Sequence, residues 1–257
     1  MAIQIAILNL MPTKQETENQ FLRVLGGQPK AVDLTFVKTA TYIAKNTSAE
    51  HLSTYAKFDD IKHRKFDGLI ITGAPVETMQ FEEVQYWNEL KSIMDWAKIN
   101  VTNTLCICWG AQAALYHHFG IDKVTLPEKL SGVFPQTKAV DDALLCGFDD
   151  TFYIPHSRYT GLDETAVARS KGLQVLAGST ETGSSIIKST DNKTIFLMGH
   201  SEYDTDTLDK EYKRDVAKGI DIKPPCNYYH NNQPLSLWQG TAKLLFGNWL
   251  KHYVSAS

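Results

Sequence analysis

A mostly parallel β-sheet flanked by helices, an α/β architecture, is what this 257-residue chain encodes. Its first strand candidate, Ile3 to Leu10, is short and almost unbroken aliphatic, as expected of a strand buried on both faces. Helix-period segments separate it from the next strand candidates, and the resulting βαβαβ order calls for a parallel sheet covered on both sides.

Each element has its own warrant. Lys14 to Leu25 sets Phe21, Leu22, Val24 and Leu25 among polar residues, a helical pattern closed by Gly26-Gly27. Strands follow at Asp33 to Val37 and at Gly68 to Thr72, the latter delivered into Gly73-Ala74-Pro75. Phe81 to Ile99 carries Val84, Trp87, Leu90, Ile93, Met94 and Ala97 at three- and four-residue spacing, so one amphipathic helix is expected. The next strand runs through Leu105-Cys106-Ile107 into Cys108. In the second half, Thr151 to Ile154, Leu173 to Ala177, Gly183 to Lys188 and Thr194 to Met198 read as strands, with a hairpin turn at Ser189 to Lys193. Helices are expected at about Asp206 to Lys218 and Leu235 to His252. No repeat, low-complexity segment or linker divides the chain, so residues 1–257 read as one domain.

Composition narrows the function. Lys plus Arg is 26 against 29 for Asp plus Glu, and a net charge of -3 gives no general attraction to nucleic acid or to an anionic membrane. No apolar run approaches the roughly 20 residues of a membrane span, and no secretory signal opens the chain. A cytoplasmic protein acting on small molecules is the expectation. Cys106, Cys108, Cys146 and Cys226 form no Cys-x-x-Cys pair and suit a reducing compartment. No metal-ligand spacing is present, so no metal is expected.

The chemistry concentrates where strands end. Cys108 stands between an apolar strand and the small-residue start Trp109-Gly110-Ala111, which makes a strand-turn-helix elbow that projects its thiol from the sheet. A free thiol has a pKa of about 8.5, and a helix N-terminus or an imidazole raises its thiolate fraction. The backbone N–H of Trp109 is placed to hold an oxyanion, a donor worth roughly 3 kcal/mol where tested. His200, with Glu202 two residues on, follows the last apolar strand and supplies a base and its orienting carboxylate. Asn9, Lys14 and Gly73 to Glu77 lie at the same edge, since ligands of open α/β sheets bind at the carboxyl ends of strands. His156 reads as a loop residue, and His117 and His118 as facing core or solvent. Taken alone, Cys108 is equally a small buried core residue, and Arg214 a solvated charge between Lys213 and Asp215.

Ile7-Leu8-Asn9-Leu10-Met11-Pro12 with Lys14 and Glu16-Thr17-Glu18-Asn19-Gln20-Phe21, the run Phe66 to Pro75, Cys108-Trp109-Gly110-Ala111-Gln112, Pro155-His156-Ser157-Arg158-Tyr159 and Gly199-His200-Ser201-Glu202-Tyr203 together resemble the homoserine O-acyltransferase (homoserine transacylase) family from about Ile3 to Tyr253. That resemblance implies a flavodoxin-like fold of the class I glutamine-amidotransferase type. It also implies ping-pong transfer, with an acyl group passing from acyl-CoA to the cysteine as a thioester and then to a substrate hydroxyl. Position by position, Cys108 matches the acylated nucleophile, His200 the proton acceptor and Glu202 its companion. Lys129, Ser157 and Arg214 match substrate-binding positions, and Lys14 is a further candidate for the site lining. Glu77 matches the position that selects the acyl group, where glutamate resembles acetyl-CoA users and glycine succinyl-CoA users. Acetyl-CoA is therefore the expected cosubstrate, with no tightly bound cofactor, and a homodimer is the expected assembly.

Two departures bear on the acceptor. The chain starts at its first strand without the N-terminal arm of longer relatives, and Trp238-Gln239-Gly240-Thr241 replaces a more basic Trp-Arg-Ser-His pattern. On these grounds the reading leans to L-serine, with L-homoserine as the alternative; one methylene separates them, worth only about 1 to 3 kcal/mol. A glutamine amidotransferase or cysteine hydrolase would use the same elbow and His-x-Glu, while a non-catalytic binding protein would have no need to retain all three residues.

Overall fold

The computed structural model describes residues 2–42 and 47–255. Ten strands form one sheet: β1 (Ile3–Leu8), β2 (Val32–Lys38), β3 (Ala56–Lys57), β4 (Phe66–Ile71), β5 (Val101–Ile107), β6 (Lys123–Lys138), β7 (Thr151–Leu162), β8 (Leu173–Ser179), β9 (Gly183–Ser189) and β10 (Thr194–Leu197). Their order across the sheet is β3-β2-β1-β4-β5-β10-β9-β8-β6-β7. Every pairing from β3 to β10 is parallel, and every pairing from β10 to β7 is antiparallel. Helices α1 (Lys14–Gly26), α2 (Ala49–Ser53), α3 (Phe58–Ile61), α4 (Trp87–Asn100), α5 (Trp109–Phe119), α6 (Glu164–Arg169), α7 (Thr207–Ala217) and α8 (Gln239–Trp249) complete the fold.

The aliphatic strands are buried on both faces because their alternate residues feed two cores. Ala6 and Leu8 of β1 pack with Leu90, Ile93 and Met94 of α4 and Ala111 and Leu115 of α5. Ile5 and Ile7 point the other way, into Phe21 and Leu25 of α1 and Leu245, Phe246 and Trp249 of α8. At about 1.5–3 kcal/mol per fully buried large aliphatic or aromatic side chain, these two layers fix the central strands and the positions at which they end. Among the described residues, no helix is long and apolar enough to cross a membrane.

Four elements depart from expectation. The helix expected over Phe81 to Ile99 is a 3-10 turn at Phe81–Glu83, an extended Val84 (φ -72°, ψ 120°), and α4 from Trp87. The break lets Phe81 stack on Tyr116 (centroids 4.6 Å apart) and on Trp87 (5.3 Å). The strand expected at Thr151 to Ile154 runs on to Leu162, so His156 is a buried strand residue and not a loop residue. Its partner β6 had no counterpart in the sequence reading. The last helix ends at Trp249 and continues as a π-turn over Leu250–Val254.

Gly199 shows how closely the site loop is packed. A Cβ there would lie 2.4 Å from Ile154 Cγ2 and 2.6 Å from the Pro155 carbonyl oxygen, neither at the end of a long flexible chain. Gly199→Ala is expected to lower unfolding free energy by about 1–3 kcal/mol, the usual range for overpacking, measured by denaturant titration; an unchanged midpoint would contradict this packing.

Candidate active site

The chain enters the sheet at β1, moves outward to β2 and returns to β4 on the other side, and the edge above this reversal carries the pocket. Its volume is about 490 Å³, and Gly73, Glu77, Cys108, Lys129, Ser157, His200 and Arg214 all line it. Cys108, 6% exposed, sits at the join of β5 and α5 with φ 50° and ψ -116°. A non-glycine residue so placed stores roughly 1–3 kcal/mol of strain, held here by its N–H donating to Leu197 O (2.7 Å) and its C=O accepting from Gln112 N (3.0 Å). Gly110 makes the elbow possible, since a Cβ would come within 2.6 Å of Thr72 O. The N–H groups of the first turn of α5, Trp109 first, have no intrahelical acceptor and are free to serve an anion beside the thiol.

His200 arrives three residues after β10, its N–H bound to Pro155 O at 2.8 Å. Its Nδ1 meets Glu202 Oε1 at 2.7 Å, it lines the pocket together with Cys108, and Tyr203 stacks on it with centroids 4.2 Å apart. Burial opposes protonation of His200, but the Cys108 and Glu202 charges outweigh it and hold the imidazole well above its ordinary value. The tautomer that gives Nδ1–H to Glu202 leaves Nε2 for the sulfur. Arg23 of α1 secures the loop by donating to Glu202 O (2.7 Å), Tyr203 O (3.1 Å) and Asp204 Oδ1 (2.8 Å). Gln239, one of the residues that depart from the family pattern, bonds both Arg23 (2.8 Å) and Tyr203 O (3.2 Å), so it braces this loop from behind.

The antiparallel strands add Lys129, Ser157 and Tyr159 to the lining. A register shift between Thr125 and Leu130 breaks the β6–β7 ladder beside Lys129, and such bulges re-aim side chains. Lys129 Nζ lies over the Tyr159 ring at 5.6 Å and donates to Asp215 Oδ2 at 2.8 Å. Arg214 donates to Asp215 Oδ1, also at 2.8 Å. Burial raises the cost of ionising Asp215, but these two cations outweigh it and keep its pKa below the usual carboxylate range. Glu77, in the turn after β4, accepts from Tyr159 N–H (2.9 Å) and Thr160 Oγ1 (3.1 Å). Burial is the larger influence on it and raises its pKa above the ordinary carboxylate value.

Lys14 stands apart from the other candidates. It is buried beside the pocket, not in its walls, with Nζ bound to Asn9 O and lying 5.8 Å from the centre of the Tyr55 ring. Burial draws its pKa down to about 8. The sequence reading also missed residues that shape the site. Asp215, Tyr203 and Glu211 line it; Tyr203 Oη donates to Glu211 Oε1 at 2.9 Å, and Glu211 Oε2 is buried with no partner. Arg158, 1% exposed, gives its guanidinium to Thr160 O (2.6 Å) and Thr182 O (2.7 Å), and the charges that offset its burial are those of Cys108, Glu77 and Glu164. The Ser157-Arg158-Tyr159 run was the only available sign of it. Asp95, His117 and His118 bring metal-ligating atoms within 4.8 Å of one another on α4 and α5, away from the pocket.

A buried cysteine on a strained elbow, an imidazole–carboxylate pair beside it and a sheet of this order give the protein a class I glutamine-amidotransferase-like fold. Solved structures agree on the fold: a glutamine amidotransferase from Thermotoga maritima superposes with TM-score 0.60 at 14% identity, covering 99% of each chain. One from Methylobacillus flagellatus gives 0.59 at 12% identity, covering 97% of this chain and 94% of its own. The homoserine O-succinyltransferase family model matches residues 1–257, and the chain belongs to that family. Homoserine O-acetyltransferases of Lachnoclostridium phytofermentans and Shouchella clausii are each 52% identical to it, over 98% of this chain and 86% and 84% of theirs. Homoserine O-acyl transfer is what family and relatives share; the lean toward L-serine finds no support in them.

Proposed function

We propose that the protein is an acetyl-CoA-dependent L-homoserine O-acetyltransferase, its whole length one acyltransferase domain, working through an acetyl thioester on Cys108. The observation that carries this reading is that Cys108 and His200, the latter bound to Glu202, line one pocket together with the Lys129 and Arg214 cations. In the first half-reaction Cys108 Sγ attacks the thioester carbonyl of acetyl-CoA, the oxyanion is held by the α5 amides, and CoA leaves as its thiol with the proton of His200. In the second, His200 takes the proton of the homoserine hydroxyl as its oxygen attacks the enzyme thioester. The product ester departs, and the Cys108 thiolate re-forms its pair with the protonated imidazole. Arg214 presents a planar fork to the amino-acid carboxylate, Lys129 and Ser157 orient the polar end, and the free oxygen of Glu211 suits the ammonium.

The test supplies purified protein with acetyl-CoA and, separately, L-homoserine, L-serine or glutamine, following CoA release and products. O-acetylhomoserine is the expected main product. Predominant O-acetylserine would overturn the acceptor, and glutamine hydrolysis without acetyl transfer would overturn the reaction class.

A further inference from the structure

Recognition of an amino-acid carboxylate needs cations, yet here both are already bound. Lys129 comes from β6 and Arg214 from α7, and each donates to a different oxygen of the same carboxylate, Asp215, at 2.8 Å. The Asp215 side chain is 6% exposed and that of Lys129 8%, whereas that of Arg214 is 51% exposed and opens to the pocket. With both its oxygens taken, Asp215 has little left to offer a substrate. Lys129 keeps two ammonium protons and Arg214 the rest of its fork. Two cations and one anion leave one net positive charge, the complement of a single carboxylate. Left unpaired, a lysine and an arginine on separate elements would repel each other and sample many rotamers, and the acceptor carboxylate would have no fixed address.

We propose that Asp215 is a positioning residue that fixes the Lys129–Arg214 clamp at one distance from Cys108, and that this distance selects the length of the acceptor, L-homoserine over its one-methylene-shorter analogue L-serine. The proposal rests on the homoserine acetyltransferase reading above. An acceptor held by its carboxylate reaches the thioester only if its chain spans the gap, and a misplacement of about 1 Å can cost on the order of a hundredfold in rate. A rigid clamp turns one methylene into a discrimination of about 10–200-fold; a loose one lets the shorter acceptor slide forward.

Asp215→Asn keeps the shape but removes the charge that holds both cations. Three quantities are read: the burst of CoA released from acetyl-CoA alone, kcat and KM for L-homoserine, and the ratio of kcat/KM for L-homoserine to that for L-serine. The expected result is a burst within about twofold of wild type, a KM for L-homoserine raised roughly tenfold or more, and a homoserine-to-serine ratio lowered roughly tenfold. The burst involves no amino acid, so it reports whether the variant has kept a folded, acylable site. An unchanged KM and ratio would overturn the proposal, as would a burst that falls in step with turnover, the mark of a purely structural ion pair. Absence of a burst or of acetyl transfer in the wild type would instead overturn the underlying thioester reading, and this proposal with it.

Discussion

Mixed with acetyl-CoA and no acceptor, the protein should gain one acetyl group, on Cys108, and Cys108→Ala should gain none. Intact-mass measurement followed by peptide mapping checks both. The large effect is expected because the structure offers the acyl group no second thiol in the pocket: Cys106 is fully buried on the other face of β5, where burial pushes its thiol out of the reactive range. His200→Ala should keep the elbow but lose the proton acceptor, with turnover falling by roughly 10²–10⁴. The His200–Glu202 bond gives a graded companion. Glu202→Gln can still accept from Nδ1–H through its amide oxygen but no longer balances the imidazolium, so its loss should be smaller than that of His200→Ala. Acetylation at any other residue would remove Cys108 from the reaction.

Glu77→Gln should increase the use of succinyl-CoA relative to acetyl-CoA by up to about two powers of ten. A carboxylate held about 5 Å from a succinyl carboxylate costs roughly 3 kcal/mol at an effective dielectric near 20. The bonds from Tyr159 N–H and Thr160 Oγ1 keep Glu77 from swinging away. The pH dependence has a definite sign. Burial raises the Glu77 pKa, so its charge is complete above that raised value and disappears as pH falls through it, earlier than for an ordinary carboxylate. Succinyl use should therefore rise as the medium is made mildly acidic, and in Glu77→Gln this rise should vanish. The same shift has a stability consequence. A carboxyl whose pKa is higher folded than unfolded favours the fold below its unfolded pKa, and the benefit is lost as pH rises through the folded value. At neutral pH the folded protein bears the cost of a buried charge, so Glu77→Gln should melt higher than wild type there, and the gain should shrink in acid. A succinyl-to-acetyl ratio indifferent to both substitution and pH would show that Glu77 does not select the acyl group.

The parallel half of the fold was legible because its central strands are buried on both sides, which shows as apolar runs at Ile3–Leu8, Leu69–Ile71 and Leu105–Ile107. The elbow and the His-x-Glu were legible for a related reason, since reactive residues appear abruptly where those runs stop. The antiparallel half was not. Pro127, Pro135 and Pro155 interrupt β6 and β7 and argue against strands, but β7 lies at the sheet edge and β6 pairs with β8 only at Thr137 and Lys138, so missing N–H groups are tolerated there. Lys14 was misplaced because its helix does border the pocket, through Glu16, Thr17 and Gln20, while residue 14 turns toward Tyr55. Asp215 entered the sequence reading only as a neighbour of Arg214. Its meaning depends on Lys129, which lies far away in sequence and is aimed by a bulge that no local pattern announces.

On the proposed mechanism the nucleophile and its base hang from the parallel strands, whereas the residues assigned to grip the amino acid hang from β6, β7 and α7. Acyl chemistry and choice of acceptor would thus reside in separate halves of the scaffold, with the acyl donor selected on the chemical side by Glu77. A lineage can remodel the gripping half, lengthening or shortening the reach to the sulfur, while leaving the strained elbow untouched, and by the proposed thioester route each intermediate would still acylate itself.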